Sequence, residues 1–120
     1  MERKLYDLRK MQEIAQGDEA FIKDMVDMFL SNVTEDISNV RTFQELEDWK
    51  AIAAIAHKLV SRFAYLNASD LQELAADIEN SVLIDGNLSD INTKTEKLCS
   101  DSIILLDTLK EDLSNKNWKI

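Results

Sequence analysis

One histidine occurs in the 120 residues, His57, and it stands in the run AHKLVSR with Lys58, Ser61 and Arg62 close behind it. An imidazole with an ordinary pKa of about 6.5 is largely neutral near pH 7, so one ring nitrogen keeps a lone pair able to attack phosphorus. Lys58 and Arg62 could offer charge-assisted hydrogen bonds to phosphate oxygens, with Ser61 beside them, which makes these three the candidates for steadying a transient phosphoryl group. Phosphoryl transfer otherwise needs in-line positioning and charge stabilisation, usually by a metal ion. The sequence offers neither a metal-ligand cluster nor a glycine-rich phosphate loop, so no cofactor and no metal of its own are expected and a partner has to bring those parts.

The element that carries His57 decides whether it can be reached. On a helical wheel, Ile52, Ile55, Leu59, Phe63 and Leu66 fall in one sector, and His57 lies about 160° from its centre. A lone histidine is more often half-buried with a satisfied hydrogen bond, but this placement turns the imidazole to solvent. Its neighbours on that face are Lys50, Ala53, Ala54, Ser61 and Ala64, mostly short side chains where a solvated face ordinarily carries long charged ones. A bare strip beside a nucleophile admits another protein's active site, so Lys50, Ala53, Ala54 and Ala64 are the candidate docking residues. The competing reading is that the small residues seat another helix of the same fold.

The remaining elements follow from hydrophobic spacing. Leu5, Leu8, Met11 and Ile14 mark a short first helix ended by Gly17. Asp18 caps a long second helix with an apolar stripe of Phe21, Met25, Phe29, Val33, Ile37 and Val40, and TFQELED reads as its frayed end and turn. Asp48 caps the third helix, from Trp49 to about Leu66. Ser69 and Gln72 form a capping-box pattern for a fourth, with Leu71, Leu74, Ile78 and Val82 inside, stopping near Asp85-Gly86-Asn87. A fifth runs from about Ser89 to Leu113 on Ile91, Leu98, Leu105, Leu109 and Leu113. Proline is absent and glycine occurs only at 17 and 86, so nothing interrupts these helices. The expectation is an all-α, antiparallel up-down four-helix bundle with a short additional N-terminal helix, one domain over 1–120: residues 1–16 the short helix, 18–113 the bundle, 114–120 a polar tail.

Composition narrows the partners. A net charge of −9, from 23 acidic and 14 basic side chains, repels nucleic acid and anionic membrane surfaces. Cys99 is alone and reads as a small buried hydrophobe. No signal-peptide core or membrane-length apolar run appears, which points to the cytoplasm and makes the Asn32, Asn67 and Asn87 sequons incidental. The Met1 start and polar end favour a free-standing chain.

The segment AHKLVSRFAYLNASDLQELAADIE, residues 56–79, resembles the signature of the histidine phosphotransfer (HPt) family, which reads Ala-His-x-Leu-Lys-Gly-Ser, then Gly-Ala, then a Leu-x-x-Leu helix ending in Glu. Ala56, His57, Leu59, Ala68, Leu71, Leu74 and Glu79 fit it, and GDEAFIKDMVDMFL with Asp48-Trp49 is similar to the family's earlier helices. Three positions depart: Val60 for the lysine that helps hold the phosphoryl group, Ser61 for the next glycine, and Asn67 for the later one. The resemblance implies a phosphoryl carrier, not an enzyme, that accepts on His57 from a receiver-domain aspartate and delivers to another. It also implies response-regulator receiver domains and a hybrid sensor histidine kinase as partners, the receiver supplying Mg²⁺ and docking around His57 with help from the first two helices, and a monomer as the working form. The alternative is a non-catalytic helical adaptor of the same fold whose histidine is idle.

Overall fold

The computed structural model describes residues 5–115, and every regular element among them is helical. The helices are α1 (Arg9–Ala15), α2 (Glu19–Glu45), α3 (Trp49–Tyr65), α4 (Ser69–Asn80) and α5 (Ile91–Asn115), with a π-helical turn, Ser81–Asp85, continuing α4. Residues 1–4 and 116–120, and with the latter most of the expected polar tail, lie outside the described residues. At 1.5 Å per residue α2 is about 40 Å long, which accounts for the 44 Å long axis of the molecule.

Short turns force the antiparallel order. Asp48 and Asp18 cap their helices by accepting from Ala51 N and Phe21 N, each at 3.1 Å. The turns before α2, α3 and α4 each contain a left-handed residue, Gln16, Glu47 and Asn67 at φ near +50°, where an L side chain pays a steric cost. Asn67 offsets it by donating from Nδ2 to Asp7 Oδ1 at 2.7 Å. Around the bundle α2 touches α3, α3 touches α4, α4 touches α5 and α5 returns to α2, closing one ring of four helices with α1 laid on α2. The core between them is apolar: Val26, Val33, Ile52, Leu59, Phe63, Ile78, Leu98, Leu105 and Leu109 are fully buried.

Four local expectations are corrected. Residues before Arg9 are not helical, so the buried N-terminal set is Tyr6, Leu8, Met11 and Ala15, while Leu5 and Ile14 are exposed. The α2 stripe runs through Ile22 and Val26, leaving Phe21 exposed, because the wheel anchored on large residues slips by one position at that end. Helix α2 continues through Glu45, so Thr42–Glu45 is helical and only Leu46–Asp48 turns. Ser69 is the first residue of α4, the cap position is Ala68, and no side-chain cap forms there.

Candidate functional site

Helix α3 is held in rotation by its core face. Ile52, Ile55, Ala56, Leu59 and Phe63 are buried, and the Phe63 ring meets Phe29 of α2 edge-on, with centroids 6.2 Å apart. With that face locked, the imidazole of His57 points outward and is 75% exposed.

The ring is not free to spin. Its Nδ1 lies 2.6 Å from Oε2 of Glu79, on α4. A carboxylate can only accept, so the contact puts the ring proton on Nδ1 and leaves the lone pair on Nε2. Glu79 had matched the family pattern without being assigned a task. The signal was present in the hairpin: α3 and α4 fold back about Asn67, with His57 ten residues before it and Glu79 twelve after, which sets the two side by side.

The two nearby cations are not equivalent. Arg62 donates from Nη1 to Oδ2 of Asp36 at 2.6 Å, while Lys58 Nζ stands 3.9 Å from Oδ1 of the same carboxylate. Asp36 is a carboxylate of α2 with only 6% of its side chain exposed, and sequence patterning missed it because it falls in the middle of an otherwise apolar stripe. Burial pushes its carboxyl above the usual carboxylate range, with Arg62 and Lys58 pulling the other way and Glu35 adding to the rise. Arg62 is thus committed to a buried anion, whereas Lys58 remains more than half exposed.

The strip of small residues divides. Lys50, Ala54 and Ser61 are exposed and Ala64 is half-buried, so these surround the imidazole at the surface. Ala53 is completely buried and is removed from the docking face: four residues before His57, which meets Glu79, helical spacing sets it on the flank of α3 toward α4, where a small side chain admits close helix approach. On the other flank, α1, α2 and α3 enclose an open groove of about 390 Å³ lined by Met11, Ile14, Met25, Met28 and Tyr65, with Arg62 at its edge. Cys99 is buried, and burial pushes its thiol up, which keeps it protonated and inert. Among the described residues no cluster of His, Cys, Asp or Glu suited to a metal ion occurs, and no helix is long and apolar enough to cross a membrane.

A ring of four helices thus presents one outward histidine whose Nδ1 meets a carboxylate from the next helix. The chain matches the family model for the Hpt domain over residues 24–116, more than three quarters of its length, and belongs to that family. Comparison with curated proteins and with solved structures gives no match.

Proposed function

We propose that this chain accepts a phosphoryl group on Nε2 of His57 from the aspartyl phosphate of one receiver domain and passes it to the aspartate of another, as a cytoplasmic, monomeric carrier. In the first step the Nε2 lone pair attacks phosphorus. The P–N bond forms as the acyl-phosphate P–O bond breaks, and its electron pair leaves on the receiver's carboxylate. The ring then holds the phosphoryl group on Nε2 and a proton on Nδ1, so it is cationic, and the Glu79 carboxylate meets that charge at short range. Delivery is the same exchange in reverse toward the second receiver. No proton has to be taken from His57, so the step needs no general base.

The observation that carries this reading is the 2.6 Å contact from Glu79 to Nδ1 of an imidazole that is otherwise in solvent. Docking falls to Ala54, Ser61, Ala64 and Lys50 around the ring and to the apolar groove of α1, α2 and α3. Of the two cations expected to steady the phosphoryl group, Lys58 takes that task, because Arg62 is held by Asp36. Ser61 contributes its small size and a hydroxyl one turn beyond the ring. The receiver supplies the acidic pocket and Mg²⁺.

Incubation with phosphorylated receiver domains and a hybrid sensor kinase tests the proposal. The wild-type chain is expected to gain an acid-labile, alkali-stable phosphate, and His57→Gln none. Label persisting in His57→Gln rejects the assignment; a wild-type chain that binds receivers but never gains label identifies a non-catalytic adaptor.

A further inference from the structure

Glu79 projects from the end of α4, next to a change of helix type. Asn80 is the last α-helical residue, and the π-helical turn begins at Ser81, two positions after the carboxylate that touches His57. A π-turn is rare, occurring mostly as a single turn within an α-helix and frequently at functional sites. Left to itself this end of α4 could rotate or slide, and a contact of 2.6 Å tolerates little of either.

Besides the packing of Ile78 in the core, a polar clamp from α5 holds it. Asp77 and Ser81 stand four residues apart and therefore share a face, with Glu79 on the opposite side of the helix. Lys94, in the first turn of α5, bridges them: Nζ lies 3.0 Å from Asp77 Oδ2 and donates to Ser81 Oγ at 3.1 Å. Ser81 is buried, and its carbonyl also accepts from Gly86 N and from Asn87 N, the latter at 3.1 Å. The α-to-π junction is thus tied on one side to α5 through Lys94 and on the other to α3 through Glu79 and His57.

We propose that Lys94 is a positioning residue for phosphoryl uptake. By clamping Asp77 and Ser81 it sets the rotation of the α4 end, keeps Glu79 Oε2 on His57 Nδ1, and so keeps the lone pair on Nε2. It acts through α4 and not on the phosphoryl group. The inference rests on the reading of His57 as acceptor, but its first consequence is a tautomer balance that exists without any partner.

That balance is measurable because the chain has a single histidine, so its ring nitrogen signals need no assignment. In ¹⁵N-labelled full-length protein at about pH 8, where an ordinary imidazole is neutral, the wild type is expected to show the Nδ1–H tautomer in excess. Lys94→Met is expected to shift the balance toward Nε2–H and to slow uptake from a phosphorylated receiver about fivefold, the scale of one part-exposed ion pair. Lys94→Arg is expected to restore both. A merely structural lysine would lower the melting temperature and leave the ring nitrogens where they are, and wild-type ring shifts in Lys94→Met overturn the proposal. Should Lys94→Met fail to fold, Asp77→Asn carries the same test, with a smaller shift in the same direction expected and an unchanged tautomer overturning it. A wild type that no receiver labels defeats the acceptor reading, while the tautomer comparison still decides the role of Lys94.

Discussion

A histidine can pass a phosphoryl group when one nitrogen is held ready and the cation formed on attack is met by a negative charge, and in the proposed relay role one residue beside His57, Glu79, is placed to do both. Glu79→Leu removes the acceptor and is expected to slow uptake at least about tenfold, the value of one hydrogen bond to a charged group. Glu79→Gln, whose amide oxygen still accepts from Nδ1, should fall in between; equal rates for all three in a single-turnover assay would dismiss the contact. The cations separate by a different measurement. Lys58→Ala is expected to shorten the lifetime of the phosphorylated chain without changing its melting temperature. Arg62→Met leaves the Asp36 carboxylate buried without its main partner and should cost about 1–3 kcal/mol in urea unfolding. Because burial raises the Asp36 carboxyl despite both cations, the stability it contributes is greatest at low pH and is lost as the pH rises through its folded value. The charged pair is then no net gain at neutral pH, and Asp36→Leu/Arg62→Met together should recover most of the loss. His57 and its exposure were legible in the sequence because a period of 3.6 needs only one helix. Asp36 was not, since a carboxylate inside an apolar stripe has meaning only once Arg62 arrives from another helix.

At the level of elements, the heptad-like spacing in α3 and α5 identified their buried faces, while the ends of α1, α2 and α4 were displaced where irregular chain takes over. The small-residue strip shows the limit of a single-helix reading. Ala53 and Ala54 are neighbours of equal size on α3, yet Ala53 is fully buried and Ala54 exposed, because α4 covers only one flank. Two substitutions of the same kind should therefore fail differently. Ala54→Arg is expected to keep the wild-type melting temperature and lose transfer through obstructed docking. Ala53→Arg forces a long charged side chain into the α3–α4 contact and is expected to unfold the bundle or to destabilise it by several kcal/mol. A folded, stable Ala53→Arg protein would contradict the packing of that flank. The loop before α3 offers a gain: Glu47 is exposed at φ +52°, so Glu47→Gly should stabilise the chain by about 1 kcal/mol as a shift of the urea midpoint.

Across the whole molecule, the segment before α1 acts as a strap over one end of the bundle. Asp7 N donates to Leu66 O at 2.8 Å and Asn67 Nδ2 donates to Asp7, fastening the strap to the α3–α4 corner, while the Tyr6 hydroxyl donates to Asp112 near the end of α5. The strap thereby joins elements that are far apart in the chain, and α1, which lines the groove beside Arg62, is carried on it. Burial, with the hydrogen bond to Asp112 and the charge of that carboxylate adding to it, pushes the Tyr6 phenol well above its ordinary value. A group whose folded pKa is raised contributes its full stability below the unfolded value, about 10 for a tyrosine, and loses it as the pH climbs toward the folded one. Tyr6→Phe keeps the ring in the core and removes the hydroxyl, so it should cost about 1 kcal/mol at neutral pH, the net worth of one hydrogen bond. Above about pH 10 the wild type begins to lose that contribution while Tyr6→Phe has none to lose, and the two urea midpoints should converge. Midpoints that stay the same distance apart between neutral and strongly alkaline solution would show that the strap does not depend on the Tyr6 proton.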